Sequence, residues 1–221
     1  MTDILLFWAG KGVDAFRCDM AEMVPCEFWA YAIARVKKDY PAVRFIAEVY
    51  NPGLYRDYIH RGGFDYLYDK VGLYDTLRAV VRGEASAAAI TGCWQSVDDI
   101  RGHMLNFLEN HDEQRIASPF FAGEAERAVP ALVVSALMGT SPFMVYAGQE
   151  IGESGMDEEG FSGRDGRTTI FDYWCVDTLR RLAKADPALL TERERGLYEV
   201  YRRVVRLANE SEAVREGQFY D

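Results

Sequence analysis

Five short apolar runs punctuate the first 150 residues, and a helix-patterned segment separates each run from the next. No other feature limits the possible folds as strongly. The runs begin near residues 13, 43, 64, 104 and 141, in "GVDAFRCD", "VRFIAEVY", "GFDYLYD", "GHMLNFLENHD" and "SPFMVYAGQE". After the first run, "VPCEFWAYAIARVKKDY" sets Phe28, Ala32, Ile33 and Val36 at helical spacing. Pro25 suits the first turn of that helix, Glu27 its positive end, and Lys37 and Lys38 its negative end. "PGLYRDYIHRG" predicts a short helix, residues 72–82 another, and "EAERAVPALVVSALMG" a third, with 83–102 a helix or loop excursion. A strand–helix repeat implies parallel strands joined by right-handed crossovers. The apolar character of several strands fits a sheet covered on both faces or closed into a barrel. The expected class is α/β.

The pattern lapses after Glu150. "GESGMDEEGFSGRDGRTTIFDYW" predicts a long surface or active-site loop, and its acids do not line up as a calcium-binding EF-hand loop. The remainder is helical with a break at Pro187. The uncharged stretch from Ala128 to Gln149 is long enough for a bilayer, but Pro130, Gly139 and Pro142 interrupt it. A buried helix followed by a buried strand is expected there, and no membrane partner. A formal net charge of −10 argues against nucleic acid and anionic membranes as main partners. The opening "MTDILLFWAGKG" lacks the basic start of a signal peptide. Cys18, Cys26, Cys93 and Cys175 form no CxxC pair, and His60, His103 and His111 have no HExxH spacing. No metal site or disulfide framework is expected.

In parallel α/β folds, chemistry gathers at the carboxyl ends of the strands. The first run ends in Arg17 and Asp19, the second in Glu48, the fourth in His111 and Asp112, and the fifth in Gln149 and Glu150. Three carboxylates from three strands on one rim exceed what packing requires, because buried charge is costly unless paired. Paired carboxylates suit glycoside hydrolysis, one ionised to attack the anomeric carbon and one protonated to release the leaving oxygen. Arg17 beside Asp19 favours the charged form there, and the apolar neighbours of Glu48 favour a neutral acid. On the residues alone, Arg17–Asp19 as an ordinary structural ion pair stays open.

"GVDAFRCDMAEMVP", "FIAEVY" and "FLENHDEQR" resemble, in order and spacing, three motifs of the α-amylase superfamily of retaining α-glucan-active glycoside hydrolases and transglycosylases. The spacings are 29 residues from Asp19 to Glu48 and 64 more to Asp112. "FMVYAGQEIGE" resembles the end of the family's eighth strand. The resemblance implies a partial (β/α)8 TIM barrel, the equivalents of strands four to eight with their helices. It implies Asp19 as nucleophile, Glu48 as general acid/base and Asp112 as the group that stabilises the transition state. Arg17 and His111 would position the nucleophile and the sugar. The substrate implied is an α-glucan or maltooligosaccharide, with no cofactor, and the family's calcium site has no assessable counterpart here. His111 and Asp112 are adjacent, so both can serve only if the chain leaves strand geometry there.

The family's third-strand Asp and Asn-His motif has no counterpart, nor do the sugar contacts from earlier strands. Residues 1–206 are therefore expected to form barrel segments, and 207–221 the start of a connection to a C-terminal β-domain. Met1 is expected to be internal to a longer protein. The resulting expectation is part of a retaining α-glycosidase, weakly active or inactive by itself. The alternatives are a non-catalytic carbohydrate-binding or interaction module on the same fold, or an α-glucan transglycosylase. Open sheet edges would favour a homo-oligomer.

Overall fold

The computed structural model describes residues 1–158, 164–168, 170, 176–217 and 219. Helix α1 (Thr2–Ala9) precedes strand β1 (Ala15–Cys18), α2 (Cys26–Asp39) and β2 (Arg44–Ala47). Then come α3 (Tyr55–His60), β3 (Tyr66–Tyr68), a π-helical turn (Lys70–Tyr74), α4 (Asp75–Val81) and α5 (Ala89–Ser96). Strand β4 (Met104–Phe107), α6 (Val129–Leu137) and β5 (Phe143–Met144) complete the repeat. Helices α7 (Asp177–Ala183), α8 (Glu192–Glu210) and α9 (Glu212–Arg215) follow. The five strands form one sheet in the order β1-β2-β3-β4-β5, every pair parallel. This is the expected α/β architecture, a half-barrel.

Helix α2 shows how local sequence and packing agree. Pro25 stands just before its first turn, Glu27 lies in that turn, and Lys37 and Lys38 lie in the last. Trp29, Ala32, Ile33 and Val36 are buried. Trp29 takes the central place expected of Phe28, which is only partly buried. The indole explains this: its Nε1 donates to the Ala21 carbonyl at 3.0 Å, so the larger ring is buried without an orphaned donor.

The uncharged stretch resolves into a helix and a strand as expected: α6 has a buried face, but β5 is half-buried rather than buried. Among the described residues, no helix is long and apolar enough to cross a membrane. The core forms two apolar clusters in which helices pack on the strands. One gathers α2 and α3 around β1–β3, including Phe45, Ala47 and Leu67. The other gathers α4, α6 and α8 around β4, including Phe107, Leu132 and Tyr201. With helices thus committed to the strand flanks, the carboxyl ends of the strands remain free to carry polar groups.

Candidate active site

Strand register brings the first two acids level. Arg17 pairs with Ile46 and Cys18 with Ala47, and the ladder continues as the Glu48 amide donates to the Cys18 carbonyl at 3.1 Å. Residue 19 therefore stands opposite residue 48 at the carboxyl end of the sheet. Arg17 bridges them: Nη1 is bonded to Asp19 Oδ1, and Nη2 lies 3.1 Å from Glu48 Oε1. The guanidinium also lies over the Tyr68 ring at the end of β3, 5.8 Å from its centroid. Burial works against the Arg17 charge, but the Asp19 bond and the Glu48 carboxylate outweigh it and raise Arg17 above its ordinary value. Arg17 Nε and Nη2 are buried and make no aligned hydrogen bond among the described residues.

The two acids occupy different surroundings. The Asp19 side chain is 74% exposed, while that of Glu48 is 4% exposed. The expected apolar surround of Glu48 is corrected. Its Oε2 accepts the Met20 amide at 2.8 Å, and its Oε1 accepts the Tyr50 hydroxyl at 2.7 Å. The apolar neighbours in "FIAEVY" point elsewhere: Phe45, Ala47 and Val49 alternate into the core. Met20 adopts left-handed backbone, φ +43° and ψ +44°, and this aims its amide at Glu48. Glu22 completes the corner by accepting the Asn51 amide at 3.0 Å. Tyr50 sits among acids: burial pushes its phenol up, and Glu48, Asp112 and Glu113 push it further.

The third acid arrives from β4. The strand stops at Phe107, so the chain leaves strand geometry before His111 and Asp112, as both residues require. Asn110 closes a turn there. Its Oδ1 accepts the amides of Asp112 and Glu113, each at 2.9 Å. His111 Nε2 lies 3.1 Å from Asp112 Oδ2. β4 runs parallel to β1 and β2, so Asp112 follows the same carboxyl end of the sheet as Asp19 and Glu48, and its carboxylate adds to the upward push on the phenols of Tyr50 and Tyr68. Arg17, Asp19, Glu48, His111 and Asp112 thus share one end of the sheet.

The fifth strand does not deliver its polar pair. Gln149 is buried, donates to the Tyr201 hydroxyl of α8 at 3.0 Å and accepts the Tyr146 amide. Glu150 accepts the Gly148 amide at 2.9 Å. Gln149 thus ties the end of β5 to α8, and Glu150 closes its own turn. Tyr50, Tyr68 and the Met20 amide went unread in the sequence; an aromatic two residues beyond a strand-end acid was the available signal for Tyr50. The cysteines Cys18, Cys26 and Cys93 are free thiols, and Cys175 lies outside the described residues. Among the described residues, no group of three or more His, Cys, Asp or Glu is arranged to hold a metal ion.

No family model matches the chain. It does align with individual proteins. Neopullulanase 2 of Thermoactinomyces vulgaris is 24% identical over 220 residues, covering 97% of this chain and 33% of that protein. The α-amylase MalA of Haloarcula japonica is 33% identical over 163 residues, covering 72% of this chain and 23% of that protein. The chain is an α-amylase-family relative. Cyclic α-maltosyl-(1→6)-maltose hydrolase of Arthrobacter globiformis, solved in complex with maltose, shares the fold with a TM-score of 0.76. At 18% identity it covers 98% of this chain, and the chain covers 45% of it. The chain spans a third or less of the two curated relatives and under half of that solved structure.

Proposed function

We propose that this chain carries the catalytic rim of a retaining α-glycosidase acting on α-linked glucans or maltooligosaccharides. Asp19 is the nucleophile, Glu48 the general acid/base, and Asp112 the carboxylate that stabilises the oxocarbenium-like transition state. Arg17 orients Asp19, and His111 orients Asp112 and the sugar. The observation that carries this reading is the single guanidinium in contact with both Asp19 and Glu48. Retention needs two carboxyl groups close together, about 5–5.5 Å apart. One guanidinium in contact with both supports a short separation. The exposed Asp19 can be reached by an anomeric carbon, while the buried Glu48 keeps a fixed hydrogen-bonded orientation.

A second reading has support from coverage. The chain spans 33% of its neopullulanase relative, and one wall of a sugar cleft would come from further strands. A folded carbohydrate-binding or interaction module, with little turnover, is consistent with this. Transglycosylation would use the same acids with a sugar hydroxyl in place of water. A mechanism-based trap tests the catalytic assignment. Incubation with 5-fluoro-α-glucosyl fluoride is expected to leave a glycosyl adduct on the peptide bearing Asp19, and none in Asp19→Asn. Calorimetric titration with maltoheptaose runs alongside. Binding without an adduct supports the module; neither adduct nor binding overturns both.

A further inference from the structure

Most ion pairs among the described residues are at least partly exposed, but Glu109–Arg115 is buried on both sides. Glu109 and Arg115 have side chains 1% exposed and bracket the turn that carries His111 and Asp112. Both oxygens of Glu109 are occupied: Oε2 accepts Arg115 Nη1 at 2.7 Å and Oε1 accepts the Ile116 amide at 2.6 Å. The pair therefore closes the base of the turn, like the neck of a loop.

The remaining guanidinium contacts reach two other segments. Nη1 also donates to the Ala147 carbonyl at 3.0 Å, just after β5. Nε and Nη2 donate to Thr168 Oγ1 at 3.2 and 2.7 Å. The Tyr146 ring covers the cation, 4.0 Å from its centroid. The strap at 164–168 is seated independently by its backbone. The Arg115 amide donates to the Gly166 carbonyl at 2.6 Å, and a Cβ on Gly166 would come within 2.8 Å of Ser118 Cβ. Gly166 has φ +79°, and no larger residue fits this approach. Apolar side chains of similar volume commonly stabilise a core as well as a buried ion pair does. What the pair adds is placement, since a planar fork with five donors fixes every partner in direction.

We propose that Glu109, Arg115 and Thr168 are positioning residues that pin the His111–Asp112 turn to the end of β5 and to the 164–168 strap. The functional part of this rests on the reading of that turn as a sugar site. Asn110 fixes the shape of the turn internally. Arg115 fixes where the finished turn stands relative to Glu48.

The test is NMR of the full chain with Arg115→Lys and Glu109→Gln, beside maltoheptaose titration. The expected result is a folded protein whose Asp112 and Glu113 amides and His111 ring signals shift or broaden, while the Met20 and Glu48 amides stay in place. Maltoheptaose binding weakens at least tenfold, and Arg115→Lys retains more of it than Arg115→Met. Should Arg115→Lys not fold, Thr168→Val removes the hydroxyl that accepts from Arg115 and bonds Tyr146, leaves the Gly166 carbonyl in place, and is expected to move the same signals less. Unmoved signals at residues 111–113 in a folded variant overturn the pinning. Moved signals with unchanged sugar binding overturn the positioning role. Moved signals in a chain whose unaltered form binds no maltoheptaose leave the pinning intact and reject the sugar site instead.

Discussion

The backbone amide of Met20 donates to the buried carboxylate of Glu48 at 2.8 Å, across the gap between β1 and β2. The residue supplying it holds φ +43°, a conformation that costs a non-glycine residue roughly 1–2 kcal/mol. Local strain is thus retained where it directs a donor. Met20→Gly is expected to keep the thermal midpoint within a few degrees. Met20→Val, which is β-branched, is expected to lower it. A higher midpoint for Met20→Val would contradict the strained corner.

Asp19→Asn and Glu48→Gln should act on chemistry rather than on the fold. Acid/base groups contribute about 10²–10⁴-fold to rate. In a longer protein that contains this segment and hydrolyses maltooligosaccharides, each substitution is expected to cost at least that range, with circular dichroism unchanged. The first-formed product observed by NMR should be the α-anomer. A β-anomer would mean inversion and reject Asp19 as nucleophile. The 221-residue chain alone is expected to show weak turnover or none.

Asp65 provides a pH-dependent test away from the site. Burial pushes its carboxyl up, but Lys37, the Phe45 amide and Arg44 outweigh this and hold it below the ordinary value. A lowered folded pKa contributes stability above the unfolded value, lost as pH falls through the folded value. Asp65→Asn should therefore destabilise the protein at pH 7, by about 2 kcal/mol. The gap between variant and parent should shrink as pH falls below roughly 4. Denaturant melts at several pH values read this directly; a gap that widens in acid contradicts the assignment.

Strands β1 and β5 each have one neighbour in the sheet, and α1 carries the exposed side chains Ile4, Phe7 and Trp8. Unpaired edges template further pairing. Light scattering of the isolated chain should show mass rising with concentration, and Trp8→Glu should reduce the rise. A monomeric mass at every concentration contradicts this.

The strand–helix repeat was legible because each strand is built from a short apolar run set off by helix-patterned sequence, and all five appear in order as parallel strands. Their ends were less legible. "GHMLNFLENHD" contributes only Met104–Phe107 to the sheet, because Asn110 turns the chain through its own side chain. Arg17, Asp19, Glu48, His111 and Asp112 could be listed from the sequence as strand-end polar residues, since parallel strands send their ends to one rim. Gln149 fitted the same rule and failed it, because Tyr201 of the distant α8 offers a better partner. Glu109 and Arg115 stand in a polar segment with no local pattern that singles them out. Nothing local reveals that a charged pair six apart is drawn inside, since the Thr168 hydroxyl and the Tyr146 ring that make burial tolerable come from far along the chain.

A sheet whose spatial order repeats its chain order has a simple growth rule. Further strand–helix units can be appended beside β1 or β5 by concatenation alone, with no existing crossover rethreaded. The acids just beyond β1, β2 and β4 would keep their mutual geometry through such an extension, while the segments facing them could be exchanged wholesale. On the proposed assignment, reaction chemistry and partner choice would be separable along the gene, with the three acids confined to one contiguous stretch.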